Sequence, residues 1–368
     1  MQSEADNNKN HLLELVASLA FGYILLAIFL TLVLKYDFMQ SDVLGYWQDS
    51  LSWRTPFHPY HVPGYPLVIA FFRGITFNAL PPVVIMWAIN FISFLLSIFL
   101  VYKIIYTTTE DATIAILASL LFGLWPLVGL TYTVDPLADI PVILLFLLGF
   151  YFLQNQKMIP AGIFFGLALV THKAIWIFVF LIIIFDFFRR KEFFSRRNIS
   201  LLFLTAIPLI ALWLFGSHYH QSITWLVSSN ISAEIASQNG LPLFDGIIGT
   251  FQQGGVKGLV KGLFISIILV VAIISIFLNI KDPSASRYWG IAMSLAVLIY
   301  FIVLNSYEIW AAVRFSRLLV LPLAFSASSL IRDSFDWKKY KVTIIIVLIL
   351  LFLSQFAYAW YLANVYFA

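Results

Sequence analysis

The stretch KYDFMQSDVLGYWQDSLSWRTPFHPYHVPGYPLVIAFFRGITFNAL, residues 35–80, is where an otherwise lipid-like chain turns polar, aromatic and rich in proline. Asp37, Asp42, Asp49, Arg54, His58 and His61 all fall inside it. A long apolar run precedes it and a series of apolar runs follows. The stretch therefore reads as a loop at a membrane surface that forms the floor of a candidate site.

Outward from that loop, the composition limits the fold class. Of 368 residues, 61% are hydrophobic, 17% aromatic and only 11% charged, too apolar for one water-soluble core. The chain reads as an all-α polytopic membrane protein. Spans and connecting loops use nearly all of residues 1–368, so a single transmembrane domain without a soluble domain is expected. The first apolar run, about 12–34, is long enough for a bilayer core of roughly 30 Å and lacks a small-residue cleavage site, so it reads as a span and not a removed leader. Cysteine is absent, which excludes disulfides and thiol chemistry.

Apolar runs occur at about 12–34, 82–106, 113–131, 137–153, 159–173, 174–188, 199–216, 261–280, 288–305, 317–331 and 342–366. They predict about eleven crossings, two of them meeting in a tight turn at His172 and Lys173. With residues 1–11 placed in the cytoplasm, fourteen Lys and Arg fall on the inner side and eight on the outer. The RRKEFFSRR cluster at 189–197 is the firmest inner anchor. The loops at 35–81 and 216–260 then face away from the cytoplasm. The short inner loops carry the excess positive charge, which fits anionic lipid better than nucleic acid.

Residues 64–79 are too short to span yet strongly apolar. They predict a helix lying in the interface, with Arg73 snorkelling to water and Pro81-Pro82 resetting the chain. The 216–260 loop, with His218, His220, Trp225, Glu234 and Asp245, suits a cover over a site. No Asp, Glu, Lys or Arg falls at the centre of a predicted span, whereas ion-coupled transport usually needs one there. That distribution favours chemistry at the outer interface.

Asp42, just after the first span, is the leading candidate for a base that takes a proton from a hydroxyl; the alternative is a helix cap. Lys173, Arg314, Arg317 and Arg54 are outer-side cations suited to an anionic headgroup, with snorkelling or lipid attraction as the alternative for the two late arginines. His58, His61, His172, His218 and His220 also lie on the outer side. His58 and His61 with Asp42 suit a divalent cation, or they hydrogen-bond sugar and phosphate oxygens. Asp135 is a secondary candidate or an N-cap before Pro136, and Asp139 ranks below it. Tyr46 belongs to an aromatic set fitting either sugar stacking or an interfacial belt. Asn230-Ile-Ser232 is an outward sequon.

In order along the chain stand Asp42-x-x-x-Tyr46, His61-x-Pro63-Gly64-Tyr65-Pro66-Leu67, Tyr132-Thr-Val-Asp135-Pro136-Leu137, Gly166-Leu-Ala-Leu-Val-Thr171-His172-Lys173, and Arg314-Phe-Ser-Arg317-Leu-Leu-Val-Leu-Pro322. Together, over roughly residues 10–330, they resemble GT-C type integral membrane glycosyltransferases that use polyprenyl-phosphate sugars, such as the dolichyl-phosphate-mannose mannosyltransferases and aminoarabinose transferases. The resemblance implies a GT-C architecture and a single sugar transferred to a lipid, glycan or protein acceptor. It implies Asp42 as the base and a leaving polyprenyl phosphate held by Lys173, Arg314 and Arg317. A cofactor is not required, with Mg or Mn as the option. Val43 stands where a second acidic residue often follows in that family. A lipid-linked sugar flippase and a membrane acyl- or phosphotransferase are the rival readings.

Overall fold

A computed structural model describes the backbone of every residue except 1, 39–40, 52–63, 127–128, 192–194, 221–254, 283, 304–312, 332–336 and 362–368. Side chains are described for a smaller set that further leaves out 2–12, 41–42, 131–132, 215–220, 255–261, 303, 328–331, 337–341 and 361. All regular structure among these residues is helical.

In chain order the helices are α1 (Gln2–Ile28), α2 (Ser41–Ser50), α3 (Gly64–Ile75), α4 (Pro82–Thr109), α5 (Ala112–Gly123), α6 (Thr131–Val134), α7 (Asp139–Gln154), α8 (Met158–Leu169), α9 (Trp176–Arg190), α10 (Arg196–His220), α11 (Gly255–Lys281), α12 (Arg287–Val303), α13 (Val320–Ile331) and α14 (Trp337–Tyr361). A π-helical turn, Phe29–Val33, extends α1; 3₁₀ turns Lys173–Ile175 and Ser316–Leu319 lead into α9 and α13. Every apolar run of the sequence has become a helix. Five stretches are long and apolar enough to cross a membrane: Leu13–Val33, Pro82–Thr109, Arg196–Leu214, Gly262–Lys281 and Val342–Trp360. The chain is thus an α-helical membrane protein by length and composition.

Several helices are shorter than their apolar runs. The 113–131 run yields only Ala112–Gly123, because Pro126 and Gly129 turn the chain before α6. The fourth run begins not at Leu137 but at Asp139, after a bend. The run ending at Lys173 stops at Leu169. A 12-residue helix is only about 18 Å long, so these elements leave room at one end of the bundle for non-helical chain.

Helix α4 packs on α5 and α7, α8 packs on α7 and α10, and α12 packs on α9, α11 and α13. Without water between them, helices associate through close backbone approach, which small residues permit. Gly166 shows this: a Cβ there would lie 2.7 Å from Pro208 Cγ and 2.9 Å from the Thr205 carbonyl oxygen of α10. The core joining the helices is largely aliphatic and phenylalanine-rich, with Phe146 stacked on Phe150 and edge-on to Phe178.

The buried charged residues among those described are Asp49, Asp139, Asp186, Asp282 and Arg317. Each lies at or beside a helix end, and two ends of the bundle emerge. At one, Asp186 in the last turn of α9 meets Trp289 at the start of α12. At the other, Asp139 at the start of α7 meets Arg314, just before the Ser316–Leu319 turn.

Helix α3 exposes Leu67, Phe71 and Ile75, spaced four apart along one face, while Tyr65, Pro66 and Ile69 are buried. This is the apolar stripe expected of an interfacial helix. Arg73 differs from expectation. It does not snorkel freely: Nη1 donates to the Ser50 carbonyl at the end of α2 (2.7 Å), Nε donates to Asn78 Oδ1 (2.7 Å), and the guanidinium lies 5.5 Å from the Trp47 ring centroid. A cation at a helix C-terminus satisfies an orphan carbonyl and the helix dipole together.

Candidate active site at the Asp139 end of the bundle

The site is assembled from chain breaks. After α6, residues 135–138 bend before α7, and two buried side chains hold that bend. Asn90 of α4 donates Nδ2 to the carbonyls of Asp135 (3.1 Å) and Thr133 (3.5 Å). The Tyr65 hydroxyl of α3 shares its proton between Asn90 Oδ1 (3.3 Å) and the Pro136 carbonyl (3.2 Å). Burial, reinforced by nearby Tyr46, Tyr23, Asp135 and Asp139, pushes the Tyr65 phenol well above its ordinary pKa, so it stays a neutral donor.

Gly64 brings α3 to this place. Its N–H donates to the Val170 carbonyl (2.8 Å) in the turn after α8, and a Cβ on Gly64 would fall 2.4 Å from that oxygen. Only glycine allows the two backbones so close. Tyr46 of α2 then packs edge-on against Tyr65, with centroids 5.1 Å apart. Val43, Tyr46, Tyr65, Ile69, Ile85, Met86, Ile89, Leu137 and Ala138 form one buried cluster. Val43 follows Asp42 and Ala138 precedes Asp139, so the start of α2 belongs to this end of the bundle. The Asp42 side chain itself lies outside the described residues, as do Arg54, His58 and His61.

Two arginines cross-link the segment at 313–319 to the 129–139 segment. Arg314 Nη1 lies 2.9 Å from Asp139 Oδ2, with side-chain exposures of 13% and 2%. Arg317 is wholly buried: Nη1 donates to Thr133 Oγ1 (3.2 Å), Nε donates to the Arg314 carbonyl (3.1 Å), and the guanidinium lies 5.8 Å from the Phe122 centroid. Thr133 Oγ1 in turn donates to the Gly129 carbonyl (2.6 Å). Trp125 donates Nε1 to Ser316 Oγ (2.9 Å). Gln355 of α14 accepts from the Leu130 N–H (3.1 Å) and donates to the Trp125 carbonyl (3.2 Å).

His172 sits in extended backbone at the turn before Lys173, and its Nδ1 accepts from the Ala174 N–H at 3.0 Å. Its ring lies 5.6 Å from that of Phe315, the neighbour of Arg314. Lys173 begins the 3₁₀ turn and is half-buried.

The structure thus gathers His172, Lys173, Arg314, Arg317 and Asp135 at one end of the bundle. It also gives the two carboxylates different surroundings. Asp139, placed below Asp135 by sequence, is the buried ion-pair partner of Arg314. Asp135 is not the N-cap of α7: Ala138 holds that position, and the Asp135 carbonyl accepts from the Leu137 N–H (2.7 Å). The snorkelling alternative for Arg317 fails, because its guanidinium is inside the protein. Tyr46 lies in a packed core rather than at the surface. Asn90 is an addition, and Thr133 and Tyr65, present in the quoted motifs, gain a partner each: Arg317 for Thr133 and the Pro136 carbonyl for Tyr65. The signal for Asn90 was its being a lone amide inside the 82–106 apolar run.

Three basic and two acidic side chains among the described residues make this end suited to an anion that brings its own negative charge. Of the two guanidiniums only that of Arg314, held by Asp139 and 13% exposed, is both oriented and within reach of a phosphate oxygen. Among the described residues no three His, Cys, Asp or Glu side chains converge as a metal site. The residues named for a divalent cation fall outside them. Comparison of the chain with protein-family models and with curated proteins finds no match, so the reading below rests on these residues.

Proposed function

We propose that this chain is a GT-C type membrane glycosyltransferase of eleven crossings, moving one sugar from a polyprenyl phosphate to an acceptor hydroxyl at the extracytoplasmic face. The carrying observation is the Arg314–Asp139 pair with Arg317, Lys173 and His172 on the converging helix ends, beside the helix that begins with Ser41 and Asp42. In this reading the Asp42 carboxylate takes the acceptor O–H proton as the oxygen attacks the anomeric carbon. The bond from that carbon to the phosphate oxygen breaks, and polyprenyl phosphate leaves with the electron pair. Its growing negative charge is met by Lys173 and Arg314, oriented by the protein before reaction. Arg317 and Asn90 hold the two segments in register. No step requires a metal.

An apolar groove of about 480 Å³ between α1 and α4, lined by Tyr23, Ala27, Ile28, Trp87, Ala88 and Phe91, supports a lipid-borne substrate, since its size suits a bound chain.

The test is transfer by the full chain in membranes supplied with polyprenyl-phosphate sugars, scored by product mass. Asp42→Asn is expected to lose transfer by roughly 10²–10⁴-fold, the usual share of a general base, while remaining folded. Full activity in that variant removes Asp42 from the role. Movement of the lipid-linked sugar across liposomes without a covalent product would indicate a flippase instead.

A further inference from the structure

The last helix reaches the candidate site through one side chain. Helix α14 is the least enclosed of the five long apolar helices. Its first half exposes Val342, Ile345, Ile346, Ile349 and Leu350, whereas its last turns bury Gln355, Tyr358 and Ala359. Those last turns lie against α1, where Phe356 meets Phe29 edge-on (5.4 Å between centroids) and a Cβ on Gly22 would fall 2.9 Å from the Phe352 ring.

Gln355 is the one amide between residues 342 and 360, and it is wholly buried. An amide inside an apolar span is costly unless both of its ends find partners. Here both do. The Leu130 N–H donates to Oε1 (3.1 Å), and Nε2 donates to the carbonyls of Trp125 (3.2 Å) and of Leu351 in its own helix (3.3 Å). Because α5 ends at Gly123 and α6 begins at Thr131, Trp125 and Leu130 sit in a chain break, where backbone groups lack intrahelical partners. A primary amide supplies the donor and the acceptor that such a break needs.

The same break carries the cations of the site. Trp125 Nε1 donates to Ser316 Oγ (2.9 Å), and the Gly129 N–H donates to the Trp125 carbonyl (2.8 Å). The Gly129 carbonyl accepts from Thr133 Oγ1, which accepts from Arg317 Nη1; Arg317 Nε donates to the Arg314 carbonyl, and Arg314 pairs with Asp139. Gln355, Thr133, Ser316 and Arg317 are all fully buried. Water is therefore no substitute partner, and each bond holds its geometry firmly.

We infer that Gln355 is a positioning residue: α14 fixes the 125–133 segment and, through it, the direction of the Arg314 guanidinium. The anion-binding end of the bundle is then complete only with α14 in place. The effect on catalysis rests on the glycosyl-transfer reading above; the effect on the two segments does not.

The experiment takes the full chain in nanodiscs and reads kcat per folded molecule, KM for a polyprenyl-phosphate sugar, and hydrogen exchange of residues 125–138 and 313–319 by mass spectrometry. Gln355→Met keeps an unbranched side chain and removes the amide donor and acceptor. It is expected to speed exchange in both segments and to lower kcat about 10- to 100-fold, the effect of a stabilising group displaced by about an ångström. KM should stay within about threefold of wild type, since Arg314 acts on charge that develops only in the transition state. Thr133→Val breaks the same series one link further on, so the double variant should lose no more than the worse single one. Phe150→Leu, a core change beside Trp289 at the far end of the bundle, should lower the thermal midpoint and leave both kcat and exchange unchanged. The inference is overturned if Gln355→Met exchanges like wild type in the two segments, if it keeps full kcat, or if Phe150→Leu reproduces the loss of kcat. Absence of transfer by wild type would sink the glycosyl-transfer reading by itself, and exchange in the two segments would then decide the role of Gln355.

Discussion

Asp139 and Arg314 show how strongly position decides the value of a charge. At 2% and 13% exposure, neither is solvated well enough to stand alone. Asp139→Asn should therefore destabilise the protein by about 3–5 kcal/mol, the cost of stranding a buried charge, read as a lowered thermal midpoint in detergent. Replacing the pair with a well-packed apolar pair should recover much of that stability without restoring any transfer. Tyr65 makes a smaller, pH-dependent contribution. Tyr65→Phe should cost about 0.5–1.5 kcal/mol near neutral pH. Because the folded pKa is raised above the ordinary 10.0, folding keeps the phenol protonated where the unfolded chain would ionise. That stability is complete below pH 10 and is lost as pH rises above it, by about 1.4 kcal/mol per pH unit. Tyr65→Phe should lose less stability than wild type between pH 10 and 11.

At the scale of elements, the site depends on where helices stop. Gly64 ties α3 to the turn after α8 by one hydrogen bond and a backbone contact that admits no side chain. Gly64→Ala should force the two segments apart, costing about 1–3 kcal/mol as other overpacked contacts do. Transfer should fall more than stability does, since Tyr65 would lose its hold on the 135–138 bend; single-turnover rates and melting curves on the same sample distinguish the two losses. Arg73→Met tests the α2–α3 link. Loss of the bond to the Ser50 carbonyl should increase proteolytic cleavage after α2 while leaving the thermal midpoint within about 1 kcal/mol of wild type.

At the scale of the whole molecule, the proposed lipid-borne substrate would need lateral entry, and the α1–α4 groove is the route we propose for it. Ala88→Phe should fill part of the groove's volume of about 480 Å³ and raise KM for long-chain donors more than for short-chain analogues. An equal effect on both would remove the groove from substrate binding.

The membrane class, the order of the helices and the helix at 64–75 were legible in the sequence, because apolar runs and their periodicity report directly on which segments avoid water. So were His172, Lys173, Arg314 and Arg317 as polar interruptions at run ends. The pairing of Arg314 with Asp139, 175 positions apart, was not. Neither was the use of Asn90 and Tyr65 to hold a bend in a third segment, nor the capping of α2 by Arg73. These choices depend on which helix ends meet, and that is settled by packing across α4, α7, α8 and the 313–319 turn. Local sequence dictates burial; only tertiary contact dictates which buried charge answers which.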